Sequence, residues 1–232
     1  MKLAIMQPYF FPYIGYFQLI NAVDLFILYD NIKYTKKGWI NRNRILQNGR
    51  DALFSLPLQN ASDSQTIVER RLSSNFSRAK LLNQIIGAYR RAPYFEATIP
   101  LIRHIVQRDE TNLFDYLHHS LLRTCEHLGI TTTILVSSKI NIDHTLRSQE
   151  KVLALCAAVG ASHYINSIGG TSLYSKDVFS EHGVDLQFIQ SHPFEYPQFG
   201  NPFVPSLSII DVLMFNPLDT IQNCIKIKHE LI

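Results

Sequence analysis

The chain has 232 residues, of which 46% are hydrophobic and 18% charged, and its formal net charge is +3. That length supports one domain, or one domain with a small appendage. A charged fraction below the usual ~25% leaves Asn, Gln, Ser, Thr, Tyr and His to cover the surface, and so mild a positive charge argues against nucleic acid as a partner, which normally calls for a denser basic stripe.

LAIM, from Leu3 to Met6, is a short apolar run ended by Gln7-Pro8 and predicts a buried first strand. The loop QPYFFPYIGY follows, crowded with rings and turn residues. A helix is predicted over 16–22, and DLFILYD then reads as a second buried strand ending at Asp30. Strand, loop, helix and strand within 30 residues make a βαβ unit, which implies a parallel sheet. Gly49 marks a turn between RNRILQ and ALFSLPL, two stretches of alternating apolar character. Residues 61–74 are polar and read as mixed strand and loop.

From Asn75 the apolar period becomes helical. Ser77 is placed to cap AKLLNQIIGAYRRA, and Pro93 closes it. Two further helices are predicted over 95–108 and 113–128, the second stopped by Gly129. The β-branched run TTTILVSS (131–138) predicts another buried strand, and 146–159 a helix closed by Gly160. SHYINS enters the turn Ile168-Gly169-Gly170; SKDVFSEHG reads as a short helix, 184–190 as a strand, and 208–232 as one or two helices. The fold class expected is α/β: a Rossmann-like parallel sheet with flanking helices and a helical middle. Residues 1–232 are expected to form one domain, with a helical insertion or subdomain at about 75–128.

Cys125, Cys156 and Cys224 lie far apart with no C-x-x-C pair, against a disulfide framework and in favour of a reducing compartment. None of the nine histidines, His118-His119 included, has a partner at ligand spacing, so no metal is expected. No apolar run reaches the ~18 residues of a membrane span, and LAIM is too short for a signal-peptide core. The expectation is a soluble, cytoplasmic chain. The sequence assigns no cofactor.

Parallel sheets bind ligands beyond the carboxyl ends of their strands, and the first loop sits at such an end. Pro8 and Pro12 stiffen it. Gly15 allows close backbone approach at the helix N-terminus, where free N–H groups favour an anion. Tyr9, Tyr13 and Tyr16 offer stacking faces with hydroxyl tips, with Gln7 beside them, whereas Phe10, Phe11, Ile14 and Phe17 read as a plug for the end of the sheet. Asp30 ends the second strand at the same rim, placed to accept a proton or hold a sugar hydroxyl, or else to cap a turn. Trp39, Asn41, Arg42 and Arg44 follow within KKGWINRNR; Trp39 offers a stacking plane, and one of the two arginines is the expected diphosphate clamp. Asn166, Ser167, Gly169 and Gly170 share the rim after a later strand, their backbone N–H groups free to cradle oxygens, and Tyr174 stands as a further wall. The aromatic and proline-rich stretch HPFEYPQFGNPFVPSLSIID reads as a lid, and its Ser208 and Asp211 as a capping pattern.

MQPYFFPYIGYFQLI, AVDLFILYDNIKYTKKGWINRNRI, YINSIGGTSLYS and HPFEYPQFGNPFVPSLSIIDVLMF together resemble the WbqC-like protein family over nearly the whole chain. The resemblance implies a part in making O-antigen and other surface polysaccharides, on an activated amino sugar. A second resemblance, of fold, is to nucleotidylyltransferases and pantothenate synthetase, in which an H-x-G-H element heads the first helix. Here Tyr13 and Tyr16 stand in place of the two histidines, and a phenol with pKa ~10 does not replace an imidazole near neutrality.

The expected function is a transferase or ligase that places an acyl or aminoacyl group on the amine of a nucleotide-linked sugar. Asp30 and Tyr16 would be its catalytic pair, and the nucleotide sugar and a donor its small-molecule partners. One alternative is a non-catalytic sugar- or nucleotide-binding partner of glycan enzymes; another is RNA contact through KKGWINRNR. Self-association is left open.

Overall fold

A computed structural model describes residues 1–232. Strand β1 (Lys2–Met6) is followed by α1 (Ile14–Asn21) and β2 (Leu25–Leu28). A hairpin of β3 (Arg42–Gln47) and β4 (Arg50–Ser55) comes next, then α2 (Arg78–Tyr89), α3 (Phe95–Val106) and α4 (Leu113–His127). The chain returns through β5 (Thr133–Val136), α5 (Ser148–Val159), β6 (His163–Ser167), α6 (Lys176–Glu181) and β7 (Asp185–Ser191), and finishes with α7 (Ile209–Phe215), α8 (Leu218–Ile227) and β8 (His229–Leu231).

The main sheet runs β5-β2-β1-β6-β7-β8. Its first five strands are mutually parallel, and β8 pairs antiparallel with β7. This is the 3-2-1-4-5-6 order of a doubly wound sheet, with its switch point between β1 and β6. The apolar runs in β1 and β2 are unbroken because both faces are covered. Ala4, Phe26 and Leu28 face a large core shared with α1, α4 and α7, while Leu3, Ile5, Leu25 and Ile27 face a smaller one built with α5 and α6.

Several local signals act as the sequence predicts. Ser77 Oγ accepts from the Lys80 N–H to cap α2, and Gly160 ends α5 at φ 69°. Asn48 and Gly49 turn the hairpin at φ 52° and 74°, the left-handed pair that suits a two-residue connection. Two expectations change. The strand expected to be buried at 131–138 is the sheet's edge, with only one face partly covered. The tail also adds β8, three residues too short to carry a pattern of their own.

The aromatic loop is anchored by its phenylalanines. Phe10 and Phe11 are buried and pack on each other at 4.7 Å, and Phe10 also meets Phe54 and Tyr116. Phe11 adopts φ 42°, an unfavourable conformation for a residue with a Cβ. Polar contacts hold it there: Asn43 Nδ2 donates to the Phe10 and Phe11 carbonyls at 3.1 and 2.8 Å, and Ser208 Oγ donates to the Phe11 carbonyl at 2.8 Å. No helix is long and apolar enough to cross a membrane.

Candidate functional site

At the switch point the ends of β1 and β6 diverge around a crevice of about 350 Å³. Gln7 and Tyr9 border it from the first loop, and Asn166, Ser167, Gly169 and Gly170 from the turn after β6. Tyr174 and Tyr29 close its far side. Asn166 Oδ1 accepts from the Ser167 N–H at 2.8 Å. A Cβ at Gly170 would collide with the Asn166 amide, so glycine is required there for close packing. Seven of the residues expected from the sequence therefore meet in one place.

Tyr29, Ile32 and Tyr174 also line a larger cleft of about 710 Å³ between the end of β2 and the start of α5, so the two spaces adjoin. Lys151 lies in its wall at 5% exposure. Its Nζ donates to Asn31 Oδ1 at 3.2 Å and lies 5.7 Å from the centre of the Tyr29 ring. Asn31 is oriented from its other side. Its Nδ2 donates to His144 Nδ1 at 2.9 Å, and His144 Nε2 donates to the Ile140 carbonyl at 3.0 Å, which assigns the Nε2–H tautomer. Ser137 Oγ donates to the same Asn31 oxygen at 3.1 Å. Burial holds the Lys151 pKa below its ordinary value, and the Asp30 carboxylate partly opposes that.

The remaining expected residues fall elsewhere. Asp30 is 2% exposed, and its Oδ1 accepts from the Ser138 N–H at 2.9 Å. It borders neither space, although its neighbours Tyr29 and Asn31 do. The Tyr16 hydroxyl, also 2% exposed, donates to the Gln7 carbonyl at 2.7 Å. Burial pushes that phenol's pKa well above 10. Asn41 accepts from the Tyr34 hydroxyl and donates to the Leu56 carbonyl. Arg42 donates to the carbonyls of Gly38 and Lys37.

Arg42 and Arg44 do not divide between ligand and solvent. Residues two apart on a strand share a face, and both guanidinium groups lie over Trp39, at 6.0 and 5.4 Å. Tyr9, Tyr13, Trp39 and Arg44 border a separate cleft of about 290 Å³. Gly15 is needed because the Tyr13 ring and Ser191 Oγ occupy the space of a Cβ. The close approach there is made by a side chain of the same chain.

The stretch after β7 lines a fourth space of about 360 Å³, where Tyr13 and Ile14 meet His192, Phe194 and Tyr196. Asp211 lies beneath it, fully buried, and does not complete a capping pair with Ser208. Its carboxylate accepts from Gln198 Nε2 at 2.8 Å and from the Tyr196 and Tyr89 hydroxyls, both at 3.4 Å. Burial pushes its pKa up to about 7. The sequence singled out neither Lys151 nor Asn43; each is an ordinary residue within a helix or strand pattern, and its importance comes from what tertiary folding brings to it. Cys125 and Cys156 are buried, with thiol pKa values pushed up to about 12, and both are inert at neutral pH.

Fold and crevice together define a Rossmann-like α/β protein with an open crevice at the carboxyl rim of the sheet. Over residues 7–223 the chain matches the WbqC-like protein family, and it belongs to that family. It is 29% identical over 220 residues to the protein called "Uncharacterized protein Rv1507c" from Mycobacterium tuberculosis (strain ATCC 25618 / H37Rv), an alignment covering 93% of each chain. No solved structure matches. Family membership suggests a role in polysaccharide biosynthesis.

Proposed function

We propose that the protein is a transferase or ligase that places an acyl or aminoacyl group on the amine of a nucleotide-linked sugar, in the assembly of O-antigen or another surface polysaccharide. The observation that carries this reading is the polar and aromatic crevice at the switch point, where Gln7, Asn166, Ser167 and the Gly169-Gly170 turn face Tyr9 and Tyr174. Amides and a hydroxyl suit sugar hydroxyls, and phenol rings suit the apolar face of a pyranose. In this reading Asp30 and Tyr16 act from behind, holding the Ser138 turn and the Gln7 backbone. Catalysis would then rest mainly on positioning the two substrates.

The test is a thermal-shift series on the full chain with UDP-, dTDP- and GDP-linked amino sugars. Saturation at a hundredfold excess over Kd should stabilise the fold by about 3 kcal/mol. Asn166→Ala should abolish the effect, and added acyl-CoA or aminoacyl donor should give a mass increase on the sugar amine. Absence of stabilisation by any nucleotide sugar would refute the reading.

A non-catalytic sugar-binding partner is favoured by one observation: no carboxylate lines either adjoining space. Turnover separates the two readings: with nucleotide sugar and donor present, an enzyme increases the mass of the sugar, whereas a binding partner is stabilised by the sugar and leaves its mass unchanged.

A further inference from the structure

The larger cleft has an unusual charge balance. Lys33, His144, Arg147 and Lys151 line it, with no aspartate or glutamate among its thirteen lining residues. Lys33, Arg147 and Lys151 take part in none of the molecule's ion pairs. Lys151 is the informative one. An ammonium offers three donors, and at 5% exposure this one has a single protein acceptor, Asn31 Oδ1. A nearly buried cation without a counter-charge in contact is costly to keep. Asn31 is itself fixed by His144 and Ser137, so the amine is held in place. The start of α5 joins the same wall through Ser148, and the residue before it, Arg147, makes no side-chain cap, which leaves first-turn N–H groups without a side-chain acceptor.

We propose that this cleft binds a phosphate or diphosphate group, with Lys151 Nζ and Asn31 at its floor and Arg147 and Lys33 at its mouth. Three lysine and arginine charges are poorly matched by a single carboxylate and well matched by a diphosphate. The inference deepens the nucleotide-sugar reading and rests on it only for what is attached to the phosphate: the adjoining crevice takes the sugar, and the basic cleft takes the diphosphate. It also moves the anion away from Arg42, whose Nε and one terminal nitrogen donate to backbone carbonyls, and from Arg44, whose two terminal nitrogens reach Asp51 and the Ser206 carbonyl. A diphosphate could reach this place on a soluble nucleotide or on a lipid carrier; the recognised chemistry is the same.

The test is titration calorimetry of the full chain at low salt with inorganic pyrophosphate, UDP-linked amino sugar and farnesyl diphosphate. Pyrophosphate should bind the unmodified chain, more weakly as salt rises. Lys151→Met should weaken it about tenfold or more and Arg147→Gln several-fold, as expected for lost charge-assisted bonds. Arg147 is exposed, so its variant reports on the site even if Lys151→Met fails to fold. No pyrophosphate binding, or equal binding in all three proteins, would overturn the site. So would a loss on Arg44→Gln with none on Lys151→Met. Lys151-dependent pyrophosphate binding without nucleotide-sugar binding would retain the site and defeat the nucleotide-sugar reading. Farnesyl diphosphate binding tighter than UDP-sugar would do the same and name the lipid carrier. Nucleotide-sugar binding that Asn166→Ala abolishes and Lys151→Met leaves intact would do the reverse.

Discussion

Two basic regions border the rim of the sheet, and they spend their charge differently. In KKGWINRNR, Lys36 pairs with Asp63 at 2.6 Å, Arg42 donates to two backbone carbonyls, and Arg44 reaches Asp51 at 3.2 Å and the Ser206 carbonyl at 3.3 Å. Near α5, Arg147 and Lys151 stand about one helical turn apart, Lys33 joins them from a distant part of the chain, and none of the three forms an ion pair. The first region is dense in sequence, and the fold engages most of its donors, Lys37 and Arg44 Nε excepted. The second is invisible in sequence and unsatisfied. A cation's value to a ligand depends on how many of its donors the protein has left free.

Substitutions in each region, and in the stretch after β7, break or sharpen this contrast. The largest effect is expected at Asp211. Its folded pKa is raised to about 7, so the folded state holds a proton that the unfolded chain releases near pH 4. Stability relative to Asp211→Asn should therefore be greatest below pH 4, fall as pH rises to 7, and then level off. The total change is on the order of 4 kcal/mol by urea unfolding. A flat difference would show that the carboxylate ionises normally.

Next is Asn43→Leu, which leaves the buried Phe10 and Phe11 carbonyls short of a donor. A loss on the order of 2 kcal/mol in the same assay is expected. Arg42→Met should cost about 1 kcal/mol, since it removes two donors at a half-buried position. It should also leave pyrophosphate affinity unchanged, and weakened binding would erase the distinction between the regions. The smallest stability effect is expected for Lys151→Met, whose melting temperature should stay the same or rise, because it removes a buried charge while keeping an apolar stem. A large drop would mean that the lysine serves the fold.

Much of the framework was legible in the sequence because short-range physics writes it. The continuous apolar runs of β1 and β2 announce strands covered on both faces, Ser77 and Gly160 punctuate helices, and Gly49 marks the hairpin turn. The switch-point crevice was legible too, since strand ends and their loops share a rim by topology alone. What escaped depends on tertiary closure. Lys151 sits in a helix, where a lysine ordinarily faces water; the approach of Asn31 and Tyr29 buries it. Asp211 matches a capping spacing, yet its carboxylate turns away toward Gln198 and two tyrosines. Arg42 and Arg44 look like a clamp until the carbonyls and carboxylate beside them are seen.

Tyr9 borders both the switch-point crevice and the small space beside Trp39. Its ring rests on Tyr16 at 5.4 Å, and Tyr16 is in turn tied to the Gln7 backbone. One phenol thus forms a party wall between two chambers. Any displacement of this partition would therefore enlarge one room at the expense of its neighbour.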